Sequence, residues 1–345
     1  MPNHLMLLAP SANRVYANEA ASLATGEMAI SAPFVRDIAP TTVAGVDYLG
    51  FDADELGEKQ LLTLARQSAA LALFGVEGDL LRPIELPSAF TLSNDLVTIP
   101  KYPGKTNEQF TQLLMNVTLA SIDRALNPKG AHDGLAILDP LCGRGTTLTT
   151  AWMNGHNGYG VEGDEKAVEQ MAAYLKTWLR RKRIKHTADT TPVRREGKSI
   201  GKRFDAELKF DDQTLELTVF TGDTRQSQYL YGKKKFDAIV TDAPYGVVHG
   251  AHHVTDVRGH AGKRDRSPAG LLGEALPVWV DQLKLGGALG ISWNTYGLSR
   301  EDLAALMDHN GLEVCTGEQW LGFAHRVDAS INRDLMVAVK REELA

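Results

Sequence analysis

The stretch Phe236-Asp237-Ala238-Ile239-Val240-Thr241-Asp242-Ala243-Pro244-Tyr245-Gly246 decides how the rest of this 345-residue chain is read. Residues 238 to 240 are apolar and mostly β-branched, which suits a buried strand, and Pro244 and Gly246 end it just after Asp242. In open α/β sheets ligands lie outside the carboxyl ends of the strands, so Asp242 is predicted to face a site. Its carboxylate only accepts hydrogen bonds. Ala243, which precedes proline, is held extended and can aim its carbonyl at the same target, while Tyr245 offers a flat face. Two acceptors beside a ring would grip the exocyclic amine of a planar base. The same residues also fit an ordinary Asp-Pro-Gly turn.

Roughly a hundred residues earlier, Leu135-Ala136-Ile137-Leu138-Asp139-Pro140-Leu141-Cys142-Gly143-Arg144-Gly145-Thr146-Thr147-Leu148 repeats the pattern of strand, acid and glycine turn. Gly143 and Gly145 permit a tight turn with close backbone approach to a ligand, and a helix is predicted from Thr146 to Asn154. A dehydrogenase fingerprint would place a third glycine at position 148, where Leu stands, which argues against a pyrophosphate cradle. The next strand, Gly158 to Glu162, ends in an acid at the spacing suited to the two hydroxyls of a ribose. A further strand, Leu215 to Phe220, ends in Gly222-Asp223-Thr224, with a carboxylate where an adenine amino group could sit. Each acid alone could be a helix cap. Four of them at strand ends suggest a nucleoside ligand without pyrophosphate.

On these residues the chain resembles the S-adenosylmethionine-dependent methyltransferases that modify exocyclic amino groups of nucleic-acid bases. Asp139-Pro-Leu-Cys-Gly-Arg-Gly-Thr looks like their cofactor loop, and Thr-Asp242-Ala-Pro-Tyr-Gly like their Asp-Pro-Pro-Tyr catalytic loop, with Ala243 where that family usually has proline. Within the group, the Asp-Ala-Pro-Tyr-Gly run and Ala324-His325-Arg326-Val327-Asp328-Ala329-Ser330-Ile331-Asn332-Arg333 are similar to the tRNA guanosine-N2 methyltransferases. The resemblance covers roughly residues 99 to 340. It implies an α/β fold with a Rossmann-like, seven-stranded class I methyltransferase sheet over residues 89–345. It implies S-adenosylmethionine as cofactor, held by Asp139, Cys142, Gly143, Gly145, Thr146, Glu162, Asp164, Asp223 and Thr224, with Lys105 and Thr106 as candidates for its carboxylate. Catalysis would fall to Asp242, Ala243, Pro244 and Tyr245.

The composition is that of an ordinary globular protein, without an apolar run of membrane-spanning length or a charged-then-apolar leader, so the cytoplasm is the expected address. Cys142 and Cys315 make no zinc or disulfide spacing, and Cys142 is expected beneath the glycine loop. The net charge of −6 is unevenly spread. Residues 176 to 203 hold eleven Lys/Arg against Asp189 and Glu196, and Arg258, Lys263, Arg264 and Arg266 form a second cluster. Clusters of this kind are the footprint of phosphate binding, although a solvated helix face carries them too. Arg180, Arg181, Arg183, Arg264, Arg326 and Arg333 are the candidate nucleic-acid contacts.

Residues 1–88 are predicted to follow the order β-α-β-β-α-β: a strand His4 to Ala9, a helix Arg14 to Thr25, extended segments around Ala29 to Val35 and Val43 to Phe51, a helix Glu58 to Phe74 and a strand Leu80 to Leu86. That order suggests a ferredoxin-like α+β module, and it resembles the amino-terminal domain that precedes the RNA-binding THUMP domain in the tRNA family. Residues 88 to 105 look like a linker, with too little room for a full THUMP domain. Thr106 and Gln109 form a capping-box pattern for a helix bearing Phe110, Leu113, Leu114 and Val117. Residues 187 to 202 read as a flexible insertion, and His325, Arg326 and Arg333 as the connection between two closing strands. His249, His252, His253 and His260 lie among glycines without the converging carboxylates or thiolates of a metal site, so no metal is expected and a loop over the base is.

The chemistry implied is direct attack by a base amine on a sulfonium methyl, with Asp242 and the Ala243 carbonyl localising the amine's lone pair. Guanine, which presents N1–H and its amine side by side, suits a carboxylate better than adenine does. The favoured reading is guanine-N2 methylation of tRNA. A DNA or ribosomal-RNA adenine or cytosine amino-methyltransferase, and a non-catalytic RNA-binding protein of the same fold, are the alternatives.

Overall fold

The computed structural model describes residues 2–11, 14–128, 134–195, 197–210, 213–245 and 268–342. Seven elements come first: β1 (His4–Leu8), α1 (Arg14–Ser31), β2 (Val35–Val43), β3 (Val46–Ala53), α2 (Glu58–Ala65), β4 (Ala70–Glu77) and β5 (Leu80–Ile84). Their strands form one antiparallel sheet in the order β2-β3-β1-β4-β5. Three sequence expectations are corrected. The segment Ala29 to Val35 is not a strand: α1 runs on to Ser31, a turn follows, and β2 begins only at Val35. Two strands, not one, occupy residues 35–53, joined at Ala44-Gly45, both at positive φ as a tight hairpin turn requires. The helix predicted over Glu58 to Phe74 stops at Ala65, and Ala70–Glu77 is a strand between β1 and β5. The Leu/Ala-rich run there has good helix propensity, yet two neighbouring strands capture it.

The second sheet is built from α3 (Asp95–Thr98), α4 (Glu108–Ala120), β6 (Ala136–Asp139), α5 (Thr146–Met153), β7 (Asn157–Glu162), α6 (Glu165–Arg181), β8 (Lys185–Arg195), β9 (Lys198–Phe210), β10 (Gln213–Thr221), α7 (Ser227–Tyr231), β11 (Phe236–Asp242), α8 (Pro268–Gln282), β12 (Leu283–Asn294), α9 (Arg300–His309), β13 (Leu312–Val314), β14 (His325–Arg326) and β15 (Asn332–Lys340). It is mixed, with the order β13-β15-β12-β11-β6-β7-β10-β9-β8 and β14 paired to β15. Strands β10, β7, β6, β11 and β12 are mutually parallel, so their carboxyl ends share one edge.

Ten strands are therefore present among the described residues where seven were expected. The additional ones are β14 and the hairpin β8–β9. Most of β8 and the start of β9 occupy residues 187 to 202, read as a flexible insertion. Phe204, Ala206, Leu208 and Phe210 alternate, and the first three pair with Val219, Leu217 and Leu215, as the sequence leads one to expect of a hairpin. The register of β8 on β9 runs unbroken from Lys185↔Lys209 to Val193↔Gly201, then shifts by a bulge. Phe204, Ala206 and Leu208 of β9 pack with Leu175, Trp178 and Leu179 of α6. Strand β8 is polar on both faces and holds Pro192, which an edge strand tolerates, and so it lacks the alternation that reveals a half-buried strand.

Helix α1 serves both sheets. Ala24, Met28 and Ala32 pack on Met6, Leu49, Phe51 and Leu73 of the first. Tyr16, Ala20 and Leu23 enter one core with Phe110, Leu113, Leu114 and Val117 of α4 and with Ile137, Val240, Ala288 and Leu335 of the second. Between the two cores Glu27, fully buried, accepts hydrogen bonds from Ser68 N at 2.9 Å, from the Ser68 hydroxyl, and from Asn116 Nδ2 at 2.6 Å. No helix among the described residues is long and apolar enough to cross a membrane.

Burial pushes the Glu27 carboxyl up to about 7, with the three donors opposing it. A group raised in the folded state stabilises fully below its unfolded value, here near 4.5, and that contribution is lost as pH rises through about 7. Glu27→Gln removes the charge and keeps one acceptor oxygen. Its unfolding free energy should match the parent's near pH 4, below the unfolded value, and exceed it by up to about 3 kcal/mol at pH 8. Urea titrations at the two pH values measure the difference, and an equal offset at both would refute burial of the charge as its cause.

Candidate active site

Four acids predicted at strand ends do lie along the carboxyl edge of the parallel strands. Asp139, Glu162 and Asp242 are the last residues of β6, β7 and β11, and Asp223 stands two positions past the end of β10. Register ties them together, with Asp139↔Gly160, Thr221↔Glu162 and Asp242↔Ser292.

Their local environments differ. Asp139 is 3% exposed and accepts from Leu141 N at 3.1 Å and Thr241 Oγ1 at 2.8 Å. Burial pushes its carboxyl up to about 7, and the nearby Asp242 charge adds to the rise. Glu162 takes Gly143 N on Oε2 and Asp164 N on Oε1, both at 2.8 Å, and burial raises it as well. Each Glu162 oxygen thus accepts one of these bonds, which leaves room for a further donor on each. The Asp223 carboxylate accepts Arg225 N at 2.9 Å and grips the Arg225 side chain at 2.6 Å; those bonds hold it below the usual carboxylate range. Glu162, Gly163, Gly222, Asp223, Ile200 and Arg225 line a cleft of about 750 Å³. Ile200 belongs to the added hairpin.

The turn after β6 needs its two glycines for different reasons. Gly143 has φ 51° and nothing near where a Cβ would stand. Gly145 has φ 81°, and its Cβ would meet Met171 Sδ. Cys142 is buried beneath the turn as expected, its N–H on Val161 O at 3.1 Å, and burial raises its thiol. Thr146 opens α5 and faces the Tyr102 hydroxyl at 3.1 Å, while the Arg144 guanidinium lies 4.4 Å from the centre of the Tyr102 ring.

Asp242 collects three hydroxyl donors. Thr106 Oγ1 donates to Oδ2 at 2.5 Å, Tyr245 OH donates to Oδ1 at 2.5 Å, and the Ser292 hydroxyl donates to Oδ1. The ladder continues one residue further, with Ala243 N on Ser292 O at 2.8 Å. Pro244 follows, exposed. Behind the Tyr245 phenol, Arg333 Nε donates to its oxygen at 2.7 Å. The same guanidinium sits 5.2 Å from the Tyr245 ring centre and 4.7 Å from that of Phe110. Burial, and then the Asp242 charge, push the Tyr245 phenol far above its ordinary range.

Several expected positions come out differently. Thr106 does not cap α4; Asn107 does, accepting Gln109 N at 2.8 Å and Phe110 N at 3.0 Å. Lys105 is engaged with Val97 O at 2.7 Å and Glu108 at 2.9 Å. Asp164 caps α6, and the Thr224 hydroxyl receives Trp279 Nε1 at 3.0 Å. Arg180, Arg181 and Arg183 lie at the far end of α6, which starts at the site edge and is about 25 Å long, so they stand apart from the cleft despite their closeness in sequence. Arg333 is in β15 and 6% exposed, not in a solvated connection; Arg326 is exposed in β14 and bonds Asp328 O at 3.0 Å. Arg264 and the four histidines of 249–260 lie outside the described residues.

Ser292, Tyr102, Thr241 and Phe110 were not singled out from sequence as site residues. The one available signal was Ser292 and Asn294, polar residues closing the apolar run that makes β12. Among the described residues no cluster of three or more His, Cys, Asp or Glu is arranged to hold a metal ion.

Residues 114–256, less than half of the chain, match the family described as UPF0020, the RMKL-like methyltransferase domain. No curated protein matches the chain. Among solved structures, TrmN from Thermus thermophilus aligns at 15% identity over 89% of this chain and 60% of its own, with a TM-score of 0.39. Magnesium protoporphyrin IX methyltransferase from Synechocystis PCC 6803 with bound SAM aligns at 16% identity over 69% of this chain and 86% of its own, TM-score 0.38. An RNA methyltransferase, so described provisionally, from Pyrococcus horikoshii aligns at 15% identity over 72% and 90%, TM-score 0.37. The chain thus spans 60% of the length of TrmN, and likeness at these scores adds nothing to the fold read from its own strands.

The glycine turn generates a test of its geometry. Gly145→Ala combines an unfavourable φ with a side-chain collision and should cost about 2–3 kcal/mol, whereas Gly143→Ala, strained in φ alone, should cost about 1 kcal/mol. Chemical-denaturation midpoints of the two variants decide it. Equal losses would rule out the Met171 contact as a determinant.

Proposed function

We propose that this protein is an S-adenosylmethionine-dependent methyltransferase acting on the exocyclic amine of a nucleic-acid base. Guanine-N2 in tRNA is the member of that class favoured by the sequence motifs. The observation that carries the reading is Asp242: a carboxylate at the carboxyl edge of the sheet, beside the glycine turn, within a chain whose residues 114–256 match a methyltransferase domain.

The residues of the cleft fit the cofactor. Glu162 has acceptor capacity on both oxygens for a ribose diol, and Gly143 leaves open the space a Cβ would fill. Asp223 contributes through the Arg225 pair, since Arg225 already holds its carboxylate. When bound, S-adenosylmethionine supplies an electrophilic methyl group on a sulfonium centre.

The chain's own part is to hold the amine and manage its proton. Oδ1 of Asp242 accepts from both Tyr245 and Ser292, whereas Oδ2 accepts from Thr106 alone among the described residues. Oδ2 is therefore the atom that takes an N–H of the incoming amine. That bond draws the nitrogen lone pair out of the ring and favours the positive charge that grows on nitrogen. With the cofactor bound, the amine would take the methyl group in place of the sulfonium sulfur, and Oδ2 of Asp242 would receive the proton that the nitrogen gives up. With Oδ1 filled, the carboxylate receives one N–H and not the N1–H and amine pair of guanine, so the preference for guanine rests on motif resemblance. The reading of residues 1–88 as a ferredoxin-like module has the support of the strand order β2-β3-β1-β4, to which β5 is appended.

The test is transfer of labelled methyl to separate pools of tRNA, ribosomal RNA and DNA that lack the modification. Label in tRNA that digests to N2-methylguanosine and falls at least about 100-fold in Asp242→Asn is the expected result. Label in another pool would move the substrate, and label unaffected by the substitution would remove Asp242 from the chemistry.

A further inference from the structure

The guanidinium of Arg333 stands behind Tyr245, is covered by Phe110 and is shut away from solvent, although its charge and place in sequence suggest an exposed contact. It is fixed by the sheet, since Arg333 pairs with Asn294 on β12 and with His325 on β14. His325 is itself buried, its ring 5.3 Å from that of Phe110 and 6.5 Å from that of Tyr16 on α1.

A guanidinium has donors and no acceptor, so the 2.7 Å bond between Arg333 Nε and the Tyr245 oxygen can run in one direction only. An ionised carboxylate accepts and does not donate, so the bond between Tyr245 and Asp242 Oδ1 also runs one way. The phenol is thus committed: a lone pair goes to Arg333 and its proton to Asp242. With Ser292 on the same oxygen, Oδ1 is saturated and Oδ2 is the one presented.

We infer that Arg333 is a positioning residue that acts through the Tyr245 hydroxyl to fix the Asp242 carboxylate with Oδ2 free for substrate. The inference deepens the methyltransferase reading and rests on it for its consequence in catalysis, while the relay itself is a property of the free protein. Arg333 needs no contact with substrate for this role. A cation polarising the phenol strengthens the bond that the phenol donates, and the two rings keep the guanidinium from turning away.

Two measurements test it. In protein carrying carbon-13 at the tyrosine Cζ, the Tyr245 signal, assigned by its loss in Tyr245→Phe, should stand apart from exposed tyrosines. It should move toward them in Arg333→Met and in Asp242→Asn. With a methyl-accepting nucleic acid, Arg333→Met and Tyr245→Phe should each lower kcat about tenfold with the KM for nucleic acid and the Kd for cofactor unchanged. The double variant should be no worse than either single one. Arg333→Lys serves where Arg333→Met does not fold; it keeps the charge, loses the fixed fork, and should fall between. An unmoved Cζ signal, multiplying kcat losses, or a rise in nucleic-acid KM alone would overturn the relay. If the parent labels no nucleic acid, the methyltransferase reading fails, and the Cζ signal still decides the relay.

Discussion

The arrangement depends on satisfying one carboxylate at the end of a buried strand. Residues 236 to 241 of β11 are all buried, and Asp242 is the first position at which the strand meets solvent. A carboxylate there is costly unless donors surround it. The donors come from three distant parts of the chain: Thr106 from the segment before α4, Tyr245 from the turn after β11, and Ser292 from the neighbouring strand. The Thr106 and Tyr245 bonds tie loops to the sheet, and the Ser292 bond ties β12 to β11, so the arrangement of Asp242 depends on all three segments. Thr241, one residue earlier, bonds Asp139 and extends the same network to the glycine turn. The chemistry and the architecture are held by the same hydrogen bonds.

Helix α1 brings the first sheet into this network. Tyr16 packs against the His325 ring, and the hairpin bearing His325 fixes Arg333. Glu27, about three turns further along the helix, is bonded by Ser68 of the first unit and Asn116 of α4. Placing an acid between two apolar cores is unfavourable on its own. Asn116 also reaches Arg66 O and Gln112, so the junction is a connected set of polar groups, and the bonds from Asn116 to Glu27 and to Arg66 O are the ones that cross between the units. Polar networks of this kind contribute specificity of docking more than free energy.

What sequence revealed and what it concealed divide along a physical line. The parallel strands β6, β7 and β11 were visible because burial on both faces leaves little room for polar residues, β10 because Leu215, Leu217 and Val219 alternate with polar residues, and all four because each ends where an acid or glycine turns the chain. Gly143 and Gly145 were legible for the same local reason. Strand β8 was hidden because it is largely polar on both faces and is stabilised by pairing, not by its own pattern, whereas β9 shows its apolar face in the alternation of Phe204, Ala206 and Leu208. Strand β4 was hidden because Leu71, Ala72 and Leu73 carry helix propensity and only the flanking strands overrule it. Arg333 was misplaced because charge in a sequence says nothing of a cover such as Phe110. Ser292 was missed because its role is set entirely by the register Asp242↔Ser292.

The four strand-end acids, alike in sequence, are separated by counting donors. Asp139 is enclosed and bonded by the turn it supports, and the Asp223 carboxylate is occupied by Arg225. Glu162 and Asp242 are bonded by the protein and still retain acceptor capacity toward the open side. They differ in the donors they receive. Glu162 is held by backbone N–H groups, which cannot rotate away, and this suits a fixed grip on a diol. Asp242 is held by three hydroxyls, which can, and this suits a group that must gain a hydrogen bond and then carry a proton away. The distinction follows from whether the nearest donors belong to a tight glycine turn or to side chains reaching across strands, and no local sequence pattern encodes the second.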